Sequence, residues 1–92
     1  MPLLLHEYWE DEDGGEFSVV HERMDELRPR LMPNARLVFS LYASSWFEAR
    51  QLEYDRLEYG RYPIPEGIPD QIYTTEQAAE QDAYLRRRPV GG

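Results

Sequence analysis

RLVFSLYASSWFEARQLEYDRLEYG, residues 36–60, holds two hydrophobic periodicities in one piece. From Leu37 to Ala43 the residues are strand formers, with Leu37, Phe39 and Leu41 pointing one way and Val38, Ser40 and Tyr42 the other. Apolar groups on both faces are the pattern of a covered strand. From Ser45 the spacing becomes helical, and strong helix formers run to Tyr59 before Gly60. Ser45 followed three residues later by Glu48 is a capping-box pattern, and Gly60 stands where a left-handed C-terminal cap belongs. A strand feeding directly into a helix marked at both ends predicts the organiser of the fold. Leu37 to Ala43 is expected as the central strand, with the helix from Ser45 to Tyr59 packed on one face of its sheet.

Projected at about 100° per residue, Trp46, Phe47, Tyr54 and Leu57 fall within about a quarter turn of that helix. Ala49, Leu52 and Tyr59 continue the arc, leaving Glu48, Gln51, Asp55 and Glu58 as a narrow polar remainder. Arg50, Glu53 and Arg56 interrupt it, and arginine stems can lie over aromatic rings. The arc is wider than one sheet face covers, so the surplus calls for a second element or a partner. Residues 61–72, RYPIPEGIPDQI, cannot be helical and read as an extended roof, held down by Tyr62, Ile64, Ile68 and Ile72. The competing expectation is a partner or a second copy docking on Trp46, Arg50, Tyr54 and Tyr59, residue types that dominate interface hot spots.

Outward from this stretch, Leu3 to Trp9 reads as a strand covered on two sides. Leu3, Leu5, Glu7 and Trp9 share one face, and Leu4, His6 and Tyr8 the other. The acidic tip EDEDGG, residues 10–15, carries positive-φ turn residues, and Glu16 to Val20 is a candidate return strand. Residues 21–32, HERMDELRPRLM, place Met24, Leu27 and Leu31 on one face expected to meet the sheet. Pro29 implies either one kinked helix or two short turns. The last helix, Thr75 to Arg87, starts acidic and ends in Arg86, Arg87 and Arg88, as the macrodipole favours. Its thin face of Ala78, Ala79, Ala83 and Leu85 predicts close but weak packing. Residues 1–88 read as one domain and 89–92 as a frayed tail. The class is α+β, two layers, with a sheet of two to four strands, mixed or antiparallel.

Formal net charge is −8, and all ten basic residues are arginine. Such an acidic chain opposes binding to nucleic-acid phosphates. Arginine without lysine fits a GC-rich coding genome or a use of bidentate, stacked ion pairs. No cysteine is present, which excludes disulfides and thiolate chemistry. No stretch approaches the roughly 20 apolar residues of a spanning helix, and the leader lacks a signal-peptide core, so the chain is expected to be soluble and cytoplasmic.

Candidate chemistry is sparse. Asp11, Asp13 and Glu22 sit at the first, third and twelfth positions of an EF-hand-like loop, but Gly15 is fifth and Glu16 replaces the required glycine at the sixth. A solvated acidic turn is the expected reading. His6, His21, Glu7 and Glu22 would make a metal site or a general base only if the two strands pair so that the histidines meet. Ser44 and Ser45 read as helix caps rather than a phosphate cradle, since no glycine lets the backbone approach. No cofactor or metal is expected. The function best matched is a non-enzymatic accessory or interaction protein, with Trp46, Arg50, Tyr54 and Tyr59 as the expected surface for a partner or for self-association. The alternatives are an acidic mimic that blocks a basic groove and a small metal-dependent enzyme using His6 and His21.

Overall fold

In the computed structural model, which describes residues 1–88, the elements run β1 (Leu4–Asp11), β2 (Gly14–Val19), α1 (Glu22–Leu31), β3 (Arg36–Ala43), α2 (Trp46–Leu57) and α3 (Thr75–Arg87). The tail expected at residues 89–92 lies outside the described residues. The class is α+β, as the sequence predicts. The sheet has three strands in the order β2-β1-β3, and both pairings are antiparallel.

The central strand is therefore β1, which corrects the expectation that Leu37 to Ala43 is central. Four of the first five residues of β1 are buried, including His6 and Glu7, whereas Val38, Ser40 and Tyr42 of β3 are exposed. A run of β-branched and aromatic residues fits any half-buried pleated surface, including an edge strand, so composition alone does not locate the centre. A bulge at Tyr8/Trp9 sets two β3 residues, Leu37 and Val38, against Trp9.

The register puts Leu4, His6 and Tyr8 on one face with Phe17, Val19, Phe39, Leu41 and Ala43. Helix α2 packs there through Ala49, which is fully buried, and Trp46. The rings of Tyr8 and Phe39 stack at 5.1 Å, and Arg56 of α2 lies over Phe39 at 4.6 Å. A Cβ at Gly15 would overlap the Tyr8 hydroxyl, so this tyrosine needs a glycine beside it in the hairpin. On the opposite face Arg28 of α1 lies over Trp9, and Arg88, at the end of α3, reaches Glu7. Both sides of β1 are thus covered.

Helix α1 is one element that continues through Pro29. The proline falls in its last turn, where the missing N–H removes a single backbone bond. The face meeting the sheet side differs in part from the expected one: Met24 and Leu27 are half-buried, but Leu31 is exposed and the one buried residue is Arg28. Helix α3 likewise docks through polar groups, since its buried residues are Gln81 and Tyr84 while Ala79 and Ala83 face solvent. The Gln81 amide accepts from Leu5 N–H (2.7 Å) and donates to Leu5 O (2.9 Å) and Val20 O (3.0 Å). It behaves as one more peptide unit at the end of the β1–β2 ladder.

Candidate functional site

Helix α2 starts where Ser45 leaves extended backbone and accepts from Glu48 N–H (3.1 Å). Only this half of the expected capping box forms, because the Glu48 carboxylate takes Ser44 N–H (2.6 Å) and Ser44 Oγ (3.1 Å) instead. Trp46 N–H donates to Gln71 O (3.0 Å) and Phe47 N–H to the Asp70 carboxylate (2.9 Å). The amides that would receive an anion at this helix start are already occupied. The helix ends earlier than expected, at Leu57, and the residue that caps it in left-handed backbone is Glu58 (φ 59°, ψ 36°); Gly60 also has a positive φ, 86°, but stands two residues beyond the cap. Tyr59 N–H bonds Tyr54 O and Glu58 N–H bonds Asp55 O, the pairing of a Schellman ending.

Along this helix the four expected site residues form one series of contacts. Trp46 is half-buried and turns its indole inward, 6.0 Å from His6 and 5.8 Å from Phe17 between ring centres. Arg50 lies 5.7 Å from the rings of both Trp46 and Tyr54 and 5.2 Å from Tyr62, while its Nη1 pairs with Glu53 at 3.0 Å. Tyr54 meets Tyr59 and Tyr62 edge-on at 5.4 and 5.2 Å. Burial pushes the Glu53 carboxyl above its ordinary value, and Arg50 opposes that shift.

Residues 61–72 do roof this helix. Gln51 accepts from Tyr62 N–H (3.0 Å) and donates to Gly60 O (3.1 Å), and Tyr62 closes over Tyr54 and Phe47. The roof nevertheless turns its own apolar groups outward. Ile64, Ile68 and Ile72 are 64, 60 and 59% exposed, and Tyr59 is 62% exposed.

A second constellation, which sequence reasoning missed, occupies the opposite side of the sheet. A groove of about 770 Å³ is lined by Trp9, Met32, Leu37 and the charged residues Glu7, Arg28 and Arg88, among others. Arg88 holds Glu7 with two bonds, Nη2 to Oε1 at 2.7 Å and Nη1 to Oε2 at 2.9 Å. Its Nε donates to Asp25 at 2.8 Å. Asp25 also accepts from Tyr84 O–H and from Arg28 Nη1 (3.1 Å). Trp9 Nε1–H donates to Glu7 (3.0 Å), and Arg28 lies 4.4 Å over the Trp9 ring.

Burial alone would raise the Asp25 carboxyl, but hydrogen bonds from Tyr84, Arg88 and Arg28 prevail and hold it below its ordinary value. The Tyr84 hydroxyl is pushed up to about 12 by burial and by Asp25. The hydrogen bonds that Arg88 donates to Glu7 head the causes that raise its guanidinium further. Asp25 and Arg88 are thus fixed in their charged forms, and the arrangement clamps α1, α3 and β1 together. The sequence signal was Glu7 on a strand read as covered on both faces: an inward carboxylate needs a cation.

His6 and His21 have separate environments. His6 is fully buried, its ring stacked on Phe17 at 5.4 Å. Nδ1–H donates to Leu4 O (3.0 Å), which leaves Nε2 to accept from the Tyr73 hydroxyl (2.7 Å). Burial lowers the His6 imidazole to about 4. His21 is exposed and caps α1 by accepting from Met24 N–H. At the acidic tip, Asp11 accepts from Asp13 N–H (2.9 Å) and Gly14 N–H (3.2 Å), an Asx turn between two strands. Among the described residues, no group of three or more His, Asp or Glu side chains is placed to hold a metal ion. None of the helices there is long and apolar enough to cross a membrane.

Fold and surface together define a small α+β domain with an aromatic and arginine face on one side and an ionic clamp on the other. Comparison of the chain with protein-family models, with curated proteins and with solved structures gives no match in any of the three.

Proposed function

We propose that this chain is a non-enzymatic, cytoplasmic accessory protein that works by binding a protein partner, a second copy included, through the α2 face and its roof. The observation that carries this reading is the outward set of the roof. Having covered Tyr54 and Phe47, residues 61–72 present Ile64, Ile68 and Ile72 to solvent beside exposed Tyr59, with Arg50 set among the rings. Exposed apolar groups next to tyrosine and arginine have the composition of an interface centre.

The test is sedimentation of the purified chain over a wide concentration range, together with Tyr59→Asp and Ile68→Asp variants. Both positions are exposed, so the fold should persist in each. Association that weakens in these variants supports the reading. A chain that stays monomeric at millimolar concentration and captures no partner sensitive to these variants counts against it.

A further inference from the structure

We infer that the outer edge of β3 is a second, independent contact, where another copy of this chain adds its own β3 antiparallel about a two-fold axis near Ser40. Leu5 directs its backbone groups to β2, where its carbonyl accepts from Val20 N–H (2.9 Å). Backbone groups alternate sides along an antiparallel strand, so Leu4 and His6 direct theirs to Ala43 and Leu41 of β3. Ser40 and Tyr42 then point their N–H and C=O groups away from the sheet. Neither has a hydrogen-bond partner on that side among the described residues. Beyond Ala43 the edge is closed, because Tyr73 N–H bonds Ser44 O and Trp46 N–H bonds Gln71 O.

Proteins blunt free edges with lysine, proline or inward charge. The β3 segment RLVFSLYA has none of these, and its one irregularity is the bulge at its start. The opposite edge strand, β2, contrasts with it by carrying Gly14, Gly15 and Glu16 beside the acidic tip. On β3, Val38 and Tyr42 are 46 and 55% exposed, and antiparallel pairing about Ser40 sets each against the other from the second copy.

Charge selects a second copy as the occupant. The guanidinium of Arg36, the sole charge on β3, makes no ion pair or side-chain hydrogen bond among the described residues, although Glu10 stands opposite it in the ladder. At the other end of the strand, Ser44 holds the exposed Glu48 carboxylate. With residues 38–42 paired, the Arg36 end of each copy lies just outside the paired stretch, beside the closed Ser44 end of the other copy, where its long side chain can reach the Glu48 carboxylate, twice over by symmetry. The interface is thus complementary to itself in backbone groups, apolar side chains and charge.

The experiment is sedimentation equilibrium with amide hydrogen exchange on the full chain. A dimer is expected, with exchange at Ser40 and Tyr42 slowing as concentration rises. Ser40→Pro removes only an outward N–H, and Tyr42→Lys places a charge on the edge; each should give a monomer whose melting temperature matches that of the original chain at dilutions where it is dissociated. Arg36→Glu should weaken the dimer at least tenfold, and adding Glu48→Arg should restore it. A monomer at every concentration overturns the inference, as does a dimer insensitive to Ser40→Pro and Tyr42→Lys. Capture of a foreign strand by a chain that does not self-associate also overturns it. Loss of association in Tyr59→Asp alone would leave the α2 reading standing and remove this one.

Discussion

The side-chain amide of Gln81 spans both backbone groups of Leu5, accepting from its N–H and donating to its carbonyl. One side chain on α3 thereby closes the β1–β2 ladder and fixes where the last helix docks, 76 residues from its partner.

Gln81→Ala should therefore leave the Leu5 amide buried without a partner, at a cost of about 2 kcal/mol. Gln81→Glu should be no better, since a carboxylate cannot donate to Leu5 O and Val20 O. Urea denaturation measures the loss, and exchange at the Leu5 amide should accelerate selectively. An alanine variant of full stability with Leu5 still protected would show that the amide is dispensable.

The Arg88 and Glu7 pair should behave as a buried ion pair, because Glu7 is only 4% exposed and receives two bonds from one guanidinium. Arg88→Ala is expected to cost about 3 kcal/mol by stranding the carboxylate. Joining it to Glu7→Leu should recover much of that loss, since the carboxylate is then gone as well. Thermal melts of the two single variants and the double variant measure the coupling, and additive effects would contradict it.

These interactions show why the sequence disclosed the elements better than their docking. Helix α3 is legible from Thr74, the acidic first turn and the terminal arginines, because capping is local. Its attachment is not, because Gln81 acts through backbone atoms of β1 and β2 and leaves no hydrophobic periodicity. Arg28 misled in the same way: the face of Met24, Leu27 and Leu31 satisfies helical spacing, yet the group buried is a guanidinium over Trp9. The arginine-only composition proves structural at Arg28, Arg50, Arg56 and Arg88, each of which stacks on an aromatic ring or pairs with a carboxylate. For the α2 face, the roof was legible from its prolines and isoleucines. That it leaves three isoleucines outward depends on its path, which Gln51 and Asp70 set through tertiary bonds.

Glu58 occupies left-handed backbone, which costs a residue with a Cβ about 1 kcal/mol relative to glycine. Glu58→Gly should stabilise the chain by about that amount, less a contribution from the greater freedom of glycine in the unfolded state. The same change at Asp55, within α2, should destabilise by about 1 kcal/mol. Chemical denaturation of both variants provides the contrast.

Acid should weaken the fold through His6. His6 is neutral in the fold, with its imidazole lowered from 6.5 to about 4 by burial. Between these values the unfolded chain binds a proton that the folded chain refuses, so stability must fall as pH drops from 6.5 toward 4 and level off below it. The full shift corresponds to about 3 kcal/mol. Asp25 contributes in a different window, since its lowered carboxyl is protonated only at still more acid pH. Glu53, raised by burial, takes up its proton earlier in the fold than in the unfolded chain and so opposes the histidine near the acid end of this window, which makes the comparison with a His6 variant the measure of the histidine. His6→Phe keeps a ring against Phe17 and Trp46 while leaving the Tyr73 hydroxyl without its acceptor, so it should be less stable at pH 7 but flatter across this window. Equal slopes in the two proteins would mean that His6 is not the group taking up the proton.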